Sequence, residues 1–299
     1  LKEPSVLRTC SAIAVVTLGL VVLRAPAGAS EGLKLDEPAL AAVDRFESVW
    51  RAAKSATYRI TKSERLRKGK VVTEELAVKL RKPGNVYVRM VSPIAGREIL
   101  YDRVKTPKKL TVHNGAFPDL TLNLDVRGML ATHDQHHTIE SMGFDQAVQI
   151  FKTALATAQR EPHGEYLQFA GERTFAGRPV SYVIMNSGKR PAREEVAHAD
   201  ESLFAFAQRV GMDAYVIYTA NPQIRSITSE LEEGESYLVP AYYAQRCDSW
   251  FDKETGMPLK QAMYDEKGTL YESYEHRDIK LDAQLTDADF DVKNPSYGF

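Results

Sequence analysis

The chain has 299 residues, enough for one large or two modest domains with a substantial core. Its 39 basic and 40 acidic side chains nearly cancel, which excludes the basic footprint of a nucleic-acid binder. With 43% hydrophobic residues and no low-complexity tract, the composition is that of a globular protein and excludes a disordered one.

Lys2 and Arg8 precede an uncharged run from Ser11 to Leu23, shorter than the roughly 20 apolar residues of a spanning helix. Ala27 and Ala29 supply the small-x-small pattern of a signal-peptidase site. Residues 1–29 are therefore expected to form a signal peptide cleaved before Ser30, and the protein to be periplasmic or otherwise exported. An uncleaved membrane anchor is the alternative. Once Cys10 leaves with the leader, Cys247 is the one remaining cysteine, so no intrachain disulfide is expected. A single thiol on a strand reads as buried packing.

The first helix begins near Asp36, a capping residue, with Pro38 in its first turn and Val43, Phe46, Trp50 and Ala53 at helical spacing. Strands follow. Tyr58 and Ile60 alternate with Thr57 and Arg59, Leu76, Val78 and Leu80 with Ala77, Lys79 and Arg81, and Val86, Val88 and Met90 with Tyr87, Arg89 and Val91. Short runs around Ile99, Leu110 and Leu120–Leu124 continue the pattern. Turns at Gly69, Gly84 and Asn114-Gly115 place several of these at hairpin distances. A second helix carries Phe144, Ala147, Val148, Phe151, Leu155 and Ala158 on one stripe. Strands resume near Tyr166 and Val180, and again at Cys247, Leu259 and Tyr271, with turns at Gly256 and Gly268.

This series predicts an α+β fold: a strongly curved antiparallel β-sheet, a half-barrel, covered by helices. The half-barrel is expected over 36–190 and 241–299. Its inward face reads as Leu, Val, Ile, Met and Tyr, without an inward cluster of acids or histidines. Tyr58, Ile60, Leu76, Val78, Val88, Met90, Ile99 and Tyr101 are the candidates for lining an apolar cavity. The alternative is that these residues simply pack against the helices.

Particular positions carry a resemblance. Glu64-Arg65, Lys79-Leu80-Arg81, Val86 to Arg89, Pro93, and Gly96 through Tyr101 are among them. Leu124-Asp125 and His137 to Gly143 follow, then Asp252, Gly256, Pro258 and Tyr274. The closing stretch from Leu285 to Asp291, with Asn294-Pro295, Tyr297 and Phe299, is the most specific. In these the chain resembles a bacterial family of secreted proteins of unknown function, grouped by fold with the periplasmic lipoprotein carriers (LolA-like). The resemblance spans roughly residues 40–190 and 240–299. It implies a half-barrel with a hydrophobic cavity and leaves the activity open.

Residues 196–240 are not needed by that fold. They are similar to a degenerate LysM module, the βααβ unit that binds N-acetylglucosamine chains. Asp200, Glu201, Ser202 and Leu203 fill the place of its usual opening, and Asn221, Pro222 and Gln223 follow its second helix. The stretch from Glu233 to Pro240 reads as a closing turn and strand. Those first seven residues are the glycan-binding candidates, and a helical lid over the half-barrel is the competing reading.

His133, His136 and His137 form the nearest approach to a metal-ligand spacing and read as surface histidines near a loop. There is no nucleophile elbow, P-loop or dinucleotide glycine pattern. Asp287 and Asp289 read as a turn docking Phe290 into the core. The expectation is thus an exported binding protein, not an enzyme, without cofactor or metal, shielding a lipid or lipoprotein acyl chain. The alternative is an envelope scaffold docking on peptidoglycan through the insertion.

Overall fold

The computed structural model describes residues 32–299, so the expected signal peptide and the cleavage point before Ser30 lie outside the described residues. β1 (Lys34–Leu35) leads into α1 (Glu37–Ala52), whose Val43, Phe46 and Trp50 are buried as one helical stripe should be. Asp36 stands at the N-cap position without capping. Its carboxylate turns to the sheet and accepts from the backbone N–H of Phe169 at 3.0 Å.

Six strands then run as a meander: β2 (Ser55–Arg65), β3 (Val71–Arg81), β4 (Asn85–Ser92), β5 (Glu98–Asp102), β6 (Lys109–His113) and β7 (Thr121–Asp125). Each pairs antiparallel with the next. α2 (Met129–Thr132) and a 3-10 turn at Ile139–Ser141 lead to α3 (Asp145–Arg160). β8 (Tyr166–Phe175) and β9 (Arg178–Asn186) follow as a hairpin. After a segment described below come β12 (Arg246–Asp252), β13 (Pro258–Tyr264) and β14 (Leu270–Leu281).

The twelve-stranded sheet has the order β1-β8-β9-β12-β13-β14-β2-β3-β4-β5-β6-β7. Only β1 with β8 is parallel. Its edges, β1 and β7, do not pair with each other, so this long twisted sheet stays an open trough. Among the described residues no helix is long and apolar enough to cross a membrane.

Asn186 and Arg246 face each other across β9 and β12, so the chain between them leaves the sheet and returns at one point. There it forms β10 (Arg193–Val196), α4 (Leu203–Val210), α5 (Ala214–Ala220) and β11 (Ser236–Val239), with β10 and β11 antiparallel. The order is βααβ, and the first strand lies just before the stretch that the sequence singled out. Leu203, Phe206, Ile217, Tyr237 and Val239 make a core of its own. Arg67, in the β2–β3 turn, holds this module to the sheet. Its guanidinium donates to the carbonyls of Ile224 (2.6 Å) and Asn221 (2.8 Å) and lies 4.3 Å from the Tyr218 ring centroid.

The main core sits between the trough and the helices. Phe144 lies at its centre, with ring centroids 5.1 Å from Trp50, 5.4 Å from Tyr58 and 6.1 Å from Phe46. Trp50 Nε1 donates to Asp145 at 3.0 Å and ties α1 to the start of α3. The C-terminal stretch covers the outer face of the sheet instead. Tyr297 stacks on Tyr87 at 4.0 Å, and Asp289 accepts from Lys79 at 2.7 Å. Phe290 does not enter the core as expected. It is half-buried under the Arg81 guanidinium, 4.9 Å away, because its segment runs along the polar side of β3.

Gly143 has φ 111°, and a Cβ there would meet Leu80 Cδ1 at 2.9 Å and Trp50 at 3.3 Å. Gly143→Ala is expected to lower the unfolding free energy by roughly 1–3 kcal/mol in urea titrations. An unchanged midpoint would show that the entry to α3 tolerates a side chain.

Candidate functional site

Successive side chains on a strand face opposite sides, so every second residue of the meander faces the trough. On four of these strands the inward series changes character toward the same end. On β2 it runs Tyr58, Ile60, Lys62, Glu64, and on β3 Leu80, Val78, Leu76, Glu74. On β5 and the turn before it the series is Tyr101, Ile99, Arg97; on β6 and the turn after it, Leu110, Val112, Asn114. Cross-strand pairs such as Ile60 with Leu76 and Ile99 with Val112 keep the series in line. The product is a cavity of about 450 Å³ with an apolar floor and a polar rim. Met142, Phe144, Ala147 and Ile150 line it from the helical side. A second cavity, of about 240 Å³, shares Gln146, Ile150 and Met263 with the first, so α3 borders both.

On β2 and β3 the rim is charged and almost wholly buried, contrary to the expected absence of inward acids and histidines, while Arg97 and Asn114 are half-buried. Lys62 lies 2.9 Å from Glu74 and 3.4 Å from Glu64, and donates to Gln135. Burial favours the neutral amine, but Glu64 and Glu74 outweigh it and hold the Lys62 pKa above its usual value. Burial also works against ionising Glu64, and Lys62, His136 and His137 overcome it, so its pKa is lowered.

His136 lies within this network and not on the surface. Its Nδ1 is 2.9 Å from Glu272, its Nε2 3.1 Å from the Arg65 carbonyl, and its backbone N–H donates to Glu64 at 3.0 Å. Both ring nitrogens thus face oxygen atoms. Tyr274 places its hydroxyl between Glu64 and Glu272, at 3.1 and 3.0 Å.

Burial pushes the pKa of Glu272 up and His136 and His137 pull it down; the pair of rings wins and holds it well below the usual range. For His137 burial acts downward, and Asp213 and Glu272, each 3.5 Å away, outweigh it and hold the ring well above the usual imidazole range. Asp213 caps α5, and Tyr215 from the same helix stacks on His136 at 4.1 Å. The module therefore completes the rim.

Glu64, His136 and Glu272 present donor atoms within 4.8 Å of one another, the one metal-like set found among the described residues. Their donor atoms are already taken up by Lys62, Tyr274 and the histidine itself. The Lys62 ammonium supplies the cation there, and the set reads as a closed hydrogen-bond network. Chemically the site can bury a chain on its floor and bond a polar group at its rim.

Of the cavity candidates, Tyr58, Ile60, Leu76, Val88, Met90 and Ile99 line it. Val78 and Tyr101 do not. Both are packed into the core, in the part of the trough that Trp50 and Gly143 fill against Leu80. Cys247 is buried on its strand, its thiol pushed up to about 12 by burial.

Most of the seven glycan candidates are engaged inside the module. Glu201 accepts from Arg209 at 2.7 Å, Ser202 caps α4, and Leu203 is wholly buried. Asn221 is buried too, donating to Ile217 and Leu238 and accepting from the Leu238 N–H, each at 2.8 Å. Asp200, Pro222 and Gln223 remain toward solvent.

The family model described as "Protein of unknown function (DUF1571)" matches residues 53–237 and 217–299. No curated protein matches the sequence. Among solved structures, a DUF1329 family protein from Desulfovibrio piger is similar at 13% identity and TM-score 0.37, over 86% of this chain and 98% of that one. A LolA superfamily protein from Nitrosomonas europaea is similar at 11% and 0.31, over 85% and 97%. The lipoprotein LppX of Mycobacterium tuberculosis is similar at 10% and 0.40, over 84% and 99%. None of these likenesses carries an inference about ligand or activity.

Because its folded pKa is raised, protonated His137 contributes stability in full below the unfolded value near 6.5 and loses it as pH climbs through the folded one. Wild type should exceed His137→Gln by roughly 1–3 kcal/mol at pH 5.5, with the gap narrowing toward pH 9. Urea titrations across that range check this, and a gap that widens with pH would reverse the assignment.

Proposed function

The chain belongs to the DUF1571 family of proteins of unknown function, and we propose that it is an exported envelope protein that shields the apolar chain of an amphiphile in its trough. The cavity carries this reading. Its volume of about 450 Å³ falls within the range of small-molecule sites, about 300–1,000 Å³, and its floor is made of aliphatic side chains. An apolar hollow of this kind excludes water and gains by taking up hydrocarbon, at roughly 0.8 kcal/mol per buried methylene. A lipid or lipoprotein acyl chain fits that chemistry. The protein acts by binding and holds no catalytic role in this reading.

α3 is the element that would move. It borders both cavities, and its outward displacement would join them into a longer channel. The βααβ order of the inserted module favours a second reading, a peptidoglycan-docking scaffold. That reading is the weaker, since Glu201, Ser202, Leu203 and Asn221 are occupied within the module.

Purified protein should take up a fluorescent fatty-acid probe and release lipid detectable by mass spectrometry. Ile99→Trp fills the floor and displaces two or more methylenes, so uptake should weaken about tenfold or more with folding retained. Protein that carries no lipid and takes up no probe would remove the shielding role. Sedimentation with purified peptidoglycan that is lost on deleting residues 196–240 would establish the scaffold reading in its place.

A further inference from the structure

Each rim position on β2 and β3 is matched by an opposite charge. Lys62 has Glu64 and Glu74. The rim position beside β5 is different. Arg97 follows Ile99 in the inward series and lines the same cavity. Its Nη2 donates to the Asn114 side-chain oxygen at 2.8 Å, its Nε is buried without an acceptor, and no carboxylate pairs with it among the described residues.

The arginine is held in place from both ends. Gly115 sits at φ 65° directly on the backbone before Arg97, where a Cβ would lie 2.2 Å from the Gly96 carbonyl carbon and 2.4 Å from the Arg97 nitrogen. The Met90 N–H donates to the Arg97 carbonyl at 2.8 Å. Asn114, in turn, spends its amide group on the Ala116 and Pro118 carbonyls at 3.2 and 3.3 Å, which leaves its oxygen toward the guanidinium. Arg97 is thus a permanently charged, half-buried group fixed at the edge of an apolar cavity, with no carboxylate partner among the described residues and one buried N–H unmet.

We propose that Arg97 anchors the anionic head of the amphiphile, a carboxylate or phosphate whose oxygens accept from its guanidinium while the chain runs inward past Ile99. This rests on the shielding role argued above and adds the class of ligand to it. The self-neutralised group around Lys62 offers a second anion no comparable partner, so the head is directed to the β5 side of the rim.

The test is competition against an uncharged fluorescent probe by palmitate, hexadecyl phosphate and hexadecan-1-ol, three ligands of one chain length. At least one anion should bind about tenfold tighter than the alcohol to the wild type, and which one does separates carboxylate from phosphate. In Arg97→Gln that preference should vanish; in Arg97→Lys part of it should remain. Inorganic phosphate alone should displace nothing. Asn114→Ala, which keeps the charge but loosens it, should reduce the preference and covers the case in which Arg97→Gln fails to fold by circular dichroism. An alcohol that binds as tightly as both anions, or an anion preference that survives Arg97→Gln, overturns the anchor and leaves the shielding role standing. If none of the three chains displaces the probe, the shielding role itself falls and the anchor with it.

Discussion

A charge cannot leave water alone, and the buried ammonium of Lys62 is where that constraint organises the rest of the molecule. Stranded at the end of an aliphatic row on β2, it requires Glu74 from β3 and Glu64 from its own strand. Glu64 then accepts from the His136 backbone N–H and the Tyr274 hydroxyl and Glu74 from Gln135, while Glu272, opposite Glu64 on β14, lies against the rings of His136 and His137. The chain reaches these partners only by bringing β14 beside β2 and laying the loop after α2 across them. Asp213 and Tyr215 of the inserted module close the last side. The polar rim thus specifies which strands meet and where the module docks, while the aliphatic floor specifies only that something apolar faces inward.

How much of this could be read from the sequence follows from the same distinction. Apolar periodicity located both long helices, the meander of β2 to β7 and six residues of the cavity floor, because a hydrophobic stripe needs no particular partner. The rim is not legible from apolar periodicity, although its signal is present. Period two carries on past Ile60 into Lys62 and Glu64, and past Leu76 into Glu74, yet charged residues at inward positions suggest exposure until a counter-charge is known. That counter-charge comes from β14 and from the His136 loop, both far away in sequence. The three histidines were visible as a group, but only the register of β2 with β14 separates buried His136 from exposed His133.

Other misreadings have the same origin. Asp36 is a capping residue by type, but the Phe169 N–H on a neighbouring strand outbids the helix for its carboxylate. Phe290 is apolar, but its segment runs over the outer side of the sheet, so it lies against Arg81. Val78 and Tyr101 alternate correctly and do face inward; what they meet depends on how deep α1 and the Gly143 turn press into the trough. Direction is local information, whereas depth is tertiary. Within the module, similarity of sequence marked Leu203 and Asn221 for recognition, while their burial assigns them to holding two helices and two strands together.

On the proposed reading, the floor and the rim impose different demands on a guest, and together they would fix its orientation. Aliphatic residues attract hydrocarbon without regard to direction, so the floor alone would accept a chain from either end. The rim removes that symmetry, because a polar head driven toward Leu80 and Trp50 would lose its hydration with nothing to replace it, whereas at the rim it meets water or fixed hydrogen-bonding groups. Around Lys62 and Glu272 those groups already bond one another, and a newcomer must displace a partner to enter. Beside β5 the guanidinium of Arg97 has only the Asn114 side chain as a partner among the described residues, and its buried Nε meets no acceptor. On the proposed reading, a trough of this construction would discriminate by the chemistry and placement of the head, and α3, which borders both cavities, would set the length of chain it takes.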